Sequence, residues 1–201
     1  MAEDNPELIV RDAKAWHRWL KANHTKETHA WLVLARKGVT DPTSLTRAEA
    51  LESALIFGWI DGQARSRDEY TFLQRFTPRR SRSPWSIVNV NFANQLIADG
   101  KMQPAGLAEV ERAKADGRWD AAYAGPATIQ VPDDLAAALA ASPKATAMFA
   151  ILTSQNRFAI LLRTTSAKRA DTRERRIVKF VEMLERGETI YPQKRQLGVG
   201  E

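Results

Sequence analysis

Asp61, Arg75, Arg79, Arg80 and Arg82 fall within twenty-two positions of one another, with Phe76 among them and Trp59 and Trp85 at either end. These residue types could do chemistry. A guanidinium forks onto carboxylates and phosphates and also stacks on aromatic rings, so cations interleaved with aromatics can clamp an anion or stack a planar group. Trp59, Asp61, Arg75, Arg79 and Trp85 therefore form a candidate site for a small anionic ligand or a protein partner. In that reading the arginines hold the charge, the tryptophans form an apolar wall, and Asp61 orients an arginine through an ion pair with Arg75 or Arg79. A nucleic-acid alternative uses Arg79, Arg80 and Arg82 with Arg173 and Arg176 of the run Arg173-Glu174-Arg175-Arg176, cations that would neutralise phosphates. A second alternative is an enzyme with Asp61 as acid or base. No nucleophile or histidine accompanies that acid, so no catalytic residue is named and the primary reading is non-enzymatic.

No phosphate-binding loop, dinucleotide fingerprint, zinc-protease helix or nucleophile elbow occurs. His17, His24 and His29 lie in the first thirty residues without a carboxylate at ligand spacing, and no metal or cofactor is expected. Cysteine is absent, which removes thiol nucleophiles, thiolate metal sites and disulfides and fits a reducing cytoplasm. The acidic start, Met1-Ala2-Glu3-Asp4, is unlike a secretory signal. The apolar runs are too short to insert in a membrane. A cytoplasmic location is expected.

The 201 residues carry a net charge of +6, distributed unevenly. Residues 61–90 hold six basic and three acidic side chains, residues 91–141 four and seven, and residues 142–201 twelve and six. The central stretch and the C-terminal third could attract an anionic partner.

The elements that must position these residues can be read from periodicity and caps. Asp12 caps a first helix with Trp16, Trp19 and Leu20 on one stripe, and His17 lies off it. Residues 29–36 read as a buried strand. Thr46-x-x-Glu49 is a capping box opening a helix that Gly58 ends. Asp61-Gly62 reads as a turn, followed by strands over 63–67 and 70–77. Ser83-Pro84 is expected to open a helix with Val88, Phe92 and Leu96 inward. A helix over 104–115 follows, then a linker from Gly125-Pro126 to Val131-Pro132. Three further helices are expected: 133–140; one opened by Ser142-Pro143 with Met148, Ile151 and Leu152 inward; and about 167–186, with Ile177, Phe180, Val181 and Leu184 inward and Arg169, Arg173, Arg175, Arg176 and Lys179 outward. The expected fold is α+β and mostly helical, a small antiparallel sheet of about three strands packed by helices, divided into an α+β region at 1–125 and a helical region at 126–201.

Phe57-Gly58-Trp59-Ile60-Asp61-Gly62, Arg75-Phe76-Thr77-Pro78-Arg79 and Trp85-Ser86 resemble the bacterial YdeI/OmpD-associated, OmdA-like family. So do Pro104-Ala105-Gly106-Leu107, Asp116-Gly117-Arg118-Trp119 and Thr172-Arg173-Glu174-Arg175-Arg176-Ile177, and the likeness runs over about residues 8–186. The resemblance implies a stress-protection role against bacteriocins and cationic antimicrobial peptides, without an established catalytic mechanism. The chain departs from the family at Arg157-Phe158-Ala159-Ile160-Leu161-Leu162, where relatives are polar and arginine-rich. A chain of net charge +6 repels a cationic peptide, so protection is expected to be indirect.

Overall fold

Gly58 and Gly106 hold the most constrained backbone positions in the N-terminal half. The computed structural model describes residues 6–197; Met1–Asn5 of the acidic start lie outside them. These residues fall into two compact units divided between Ala122 and Tyr123.

The N-terminal unit begins with β1 (Glu7–Leu8), α1 (Ala13–Asn23), β2 (Ala30–Ala35) and α2 (Arg47–Ile56). β3 (Trp59–Ser66), β4 (Thr71–Pro78), α3 (Ile87–Ala98) and α4 (Pro104–Ala115) follow. Asp12 caps α1 by accepting from the Ala15 amide at 2.9 Å. Thr46 and Glu49 form the reciprocal capping box of α2. Gly58, at φ +74°, reverses the chain after α2, a conformation in which a Cβ would clash with its own backbone.

The sheet has four strands rather than three, in the order β1-β2-β4-β3, because the two-residue β1 adds a parallel edge beside β2. β2, β4 and β3 pair antiparallel. Asp61-Gly62 is not a turn. β3 starts at Trp59 and runs through both residues, with a bulge between Asp61 and Ala64. The turn-forming pair is accommodated because the buried Gln74 amide donates to the Gly62 and Gln63 carbonyls at 2.9 and 3.2 Å, replacing ladder bonds that a bulge disrupts.

Ala30, Leu32 and Leu34 of β2 with Phe76 of β4 form the sheet side of the main core, which Trp16, Leu20, Leu51, Leu55, Ala93 and Val110 complete from the helices. α3 starts later than the proline suggests: Ser86 is its N-cap, accepting from the Asn89 amide at 3.2 Å, while Ser83 Oγ accepts from the Arg80 amide in the preceding turn. Trp85 is buried, so the chain straightens to seat its indole before the helix begins. Starting at Ile87 turns Asn89, Ala93 and Leu96 inward and leaves Val88 and Phe92 exposed, contrary to the i, i+4 expectation.

The C-terminal unit contains α5 (Asp133–Ala140), α6 (Pro143–Ala150), α7 (Ser154–Thr165) and α8 (Ala170–Glu185), four helices where three were expected. The additional one, α7, is capped by Thr153, which accepts from the Asn156 amide at 3.3 Å, and Ala159, Ile160 and Leu161 are buried. The apolar departure at 157–162 is therefore a core helix. Leu135, Met148, Ile160, Phe180 and Leu184 form a second, separate core. Asn156, itself buried, ties residues 191–193 to α7: its amide donates to Tyr191 O and Gln193 Oε1, both at 3.0 Å, and its Oδ1 accepts from the Tyr191 amide at 2.8 Å.

Candidate functional site

Alternation along the strands sends the five central candidates to three different places. Trp59 lies on the helix-covered face and is buried; its indole donates to His24 O at 3.1 Å and meets Trp19 edge-on at 5.9 Å. It is core. Asp61 shares that face, opposite Phe76, and pairs with Arg47 at the start of α2 instead of Arg75 or Arg79. Arg79 follows β4, donates its amide to Gly58 O at 2.9 Å, and lies buried with its guanidinium 3.5 Å over the Trp85 ring. Trp85 in turn packs on Trp119 at 4.8 Å, and Arg118 donates to Ser83 O at 2.8 Å. Arg79 and Trp85 thus belong to a closed cluster that fixes the loop into α3.

Arg75 is on the opposite, outer face, across from Trp31. Glu7, Val33, Leu73 and Arg65 share that face by register. The Arg65 guanidinium lies 4.2 Å from the Trp31 ring centre; Trp31 and Val33 are 4% and 0% exposed, whereas Arg65 is exposed. Arg75 Nε is buried with no hydrogen-bond partner. Just beyond β3, Arg67 donates to Glu7 Oε2 at 2.8 Å and to Asp68 Oδ2 at 2.7 Å, and the hydrogen bond it gives to Glu7 raises its pKa. Asp68 is held below the usual carboxylate range; desolvation opposes this, but the Thr71 hydroxyl and amide and the Tyr70 amide outweigh it. Arg67 is therefore neutralised. Arg65 and Arg75 have no carboxylate partner among the described residues.

Two guanidinium groups beside one indole, with one Nε already stripped of water, can receive an oxyanion carried by a planar group. A buried N–H without a partner is costly, and an incoming anion that accepts from it offsets that cost. Sequence reasoning missed Trp31 and Arg65. The run around Trp31 reads as uniformly buried, and only its period of two, with Leu32 and Leu34 on one side and Trp31 and Val33 on the other, could have separated the faces.

The nucleic-acid candidates divide as well. Arg80 and Arg82 are exposed, whereas Arg79 is buried. Arg173, expected outward, is drawn in: it grips both oxygens of Asp134 and donates to Thr164 O at 3.2 Å, joining α8 to the start of α5 and the end of α7. Arg176 is half-buried and donates to Arg163 O. No group of three or more histidine, aspartate or glutamate side chains suited to a metal occurs among the described residues. No described helix is long and apolar enough to cross a membrane.

Together these features define an α+β protein of two units, its N-terminal sheet carrying an arginine-flanked tryptophan on its outer face. Residues 8–109 match the model of a domain of unknown function, DUF8412, and residues 128–187 match the family described as bacteriocin-protection, YdeI or OmpD-associated. The chain belongs to the DUF8412 family, whose model covers half of it, and residues 128–187 of the C-terminal unit are similar to the OmdA family. Of the OmdA likeness read across residues 8–186, the OmdA model covers residues 128–187 only; the Phe57–Gly62, Arg75–Arg79, Trp85-Ser86 and Pro104–Leu107 motifs fall in the DUF8412 model and Asp116–Trp119 in neither. Neither the curated proteins nor the solved structures contain a match.

Proposed function

We propose that this is a non-enzymatic cytoplasmic binding protein whose N-terminal unit takes an anionic ligand on the outer face of its sheet. Arg65 and Arg75 hold the anionic group, and Trp31 supports a planar part of the ligand once the Arg65 guanidinium swings off it. The observation that carries this reading is the pair of guanidiniums without carboxylates that share the outer face with Trp31, Arg65 against its ring and Arg75 across from it in register with its Nε buried and unsatisfied. The site is displaced from the one expected in the sequence and keeps only Arg75 of its five residues. Asp61 has one carboxylate oxygen engaged by Arg47, which suits a structural acid better than a proton donor.

Calorimetric titration with pyrophosphate and with a nucleoside triphosphate tests this. The double variant Arg65→Ala/Arg75→Ala should lose at least about tenfold in affinity, since charge-assisted hydrogen bonds contribute roughly 1.5–3 kcal/mol each. Unchanged affinity with an unchanged circular dichroism spectrum would remove the site.

The exposed Arg80 and Arg82 support the second reading, a nucleic-acid ligand. It requires affinity that falls steeply with salt as counterions are released. The bacteriocin protection in the OmdA family's description would, in this chain, act through the bound anion rather than by capturing a cationic peptide, because the net charge of +6 opposes that encounter.

A further inference from the structure

The two edges of the sheet differ. On one side β1 lies beside the start of β2, and the Ala35 amide at the end of β2 donates to Leu45 O at 2.9 Å. On the other side β3 pairs with β4 alone, and Gly62 to Ser66 are exposed. The Arg36 amide donates to Tyr70 O and the Arg79 amide to Gly58 O, both at 2.9 Å. Residues of a central strand bond alternately to either side, so Phe72 and Gln74 turn their backbone to β2, and Leu73 turns its own to β3. Arg65, opposite Leu73, therefore bonds inward. The amides and carbonyls of Ala64 and Ser66, opposite Gln74 and Phe72, point off the sheet, and neither residue has a backbone partner outside it among the described residues.

We propose that this edge takes an extended peptide with acidic side chains at alternate positions, pairing antiparallel with β3 as a fifth strand. The proposal rests on the reading of Arg65 and Arg75 as an anion site and names what carries the anion. Charge complementarity selects the occupant. Alternate residues of a strand lie on one face about 7 Å apart. An acidic residue opposite Arg65 meets its guanidinium, and the next acid on that face comes over Gly62. No side chain at Gly62 blocks the way to Arg75, and a Cβ there would have only Arg75 O within 4 Å, at 3.6 Å. The net charge of +6 draws in an acidic segment and opposes pairing with β3 of a second copy. Bulges and edge charges also keep strands apart, and the following titration separates the two roles.

The full chain is titrated calorimetrically with a peptide of about eight residues in which glutamate alternates with threonine. Binding should saturate with a dissociation constant below about 100 µM. In antiparallel pairing the threonine amides face β3 and the glutamate amides face away. The same peptide N-methylated at its threonines, or with glutamine in place of glutamate, should bind at least about tenfold more weakly. Ser66→Pro removes an amide that points off the edge and none that bonds β4. It should lose the peptide to the same degree, with its pyrophosphate affinity and circular dichroism spectrum unchanged. No saturation by the unmodified peptide, or equal affinity for it and either modified form, would overturn the added strand. Where pyrophosphate still binds, the anion site survives that result; where it does not, both readings fall.

Discussion

Gly106 lies where α4 crosses the end of α2, and a Cβ there would stand 2.4 Å from Ile56 O and 2.7 Å from Leu55 O. Those atoms are backbone and cannot yield as a flexible side chain can. Gly106→Ala should therefore cost about 2–3 kcal/mol in urea unfolding, the range for overpacking a closed contact. A second residue-scale prediction concerns acid. The hydrogen bond from Arg173 holds the Asp134 carboxyl below its usual range, desolvation opposes it, and the Leu135 amide and the Arg173 charge reinforce the shift. A folded-state pKa below the unfolded one stabilises the protein at neutral pH, and that contribution disappears as the pH falls from about 4 through the folded value. Asp134→Asn should lower the urea midpoint at pH 7, and its gap from the parent protein should narrow at pH 3. At this scale much of the candidate site was hidden in the sequence. Arg75 and Asp61 look like neighbours, but they stand on opposite faces of the sheet, and it is the bulge at Gly62-Gln63 that puts Arg65 on the face of Arg75.

Elements were more legible than side-chain partnerships. Asp12, Thr46 with Glu49, and Ser142 cap the helices they were expected to cap, because a short polar side chain meeting a free helical amide is a local interaction. α3 shows where local signals compete. Ser83-Pro84 is a plausible helix start, but burial of Trp85 postpones the helix to Ser86, and tertiary packing outweighs the proline. Ser86→Ala should accordingly cost about 1 kcal/mol in thermal or urea unfolding, and Ser83→Ala distinctly less. Equal losses would mean that the serine preceding the proline shares the capping role. β1 escaped notice because two residues leave no periodic signature, and α7 because its cap, Thr153, follows so soon after α6.

Across the molecule, two cores close separately, one in each unit. All six tryptophans precede residue 123, so indole fluorescence reports the N-terminal unit, while far-UV circular dichroism sees the helices of both. Leu184→Ala, at the centre of the second core, should cost about 2–5 kcal/mol and be seen as an early loss of helical signal. The α+β class and the helical C-terminal region were readable from periodicity and caps. The outer sheet face proposed to take the anion was not, because its composition depends on which strands lie side by side, and β2 and β4 come from segments some forty residues apart.

The central claim is that an anion settles between Arg65 and Arg75 on the outer sheet face. The most direct measurement follows the arginine Nε–H resonances by proton–nitrogen correlation spectroscopy during titration with pyrophosphate. The Arg75 and Arg65 signals should shift in a saturable way, while that of Arg173, already committed to Asp134, stays in place. Saturable shifts confined to other arginines, or no shift at Arg75 when pyrophosphate is in excess, would contradict the assignment.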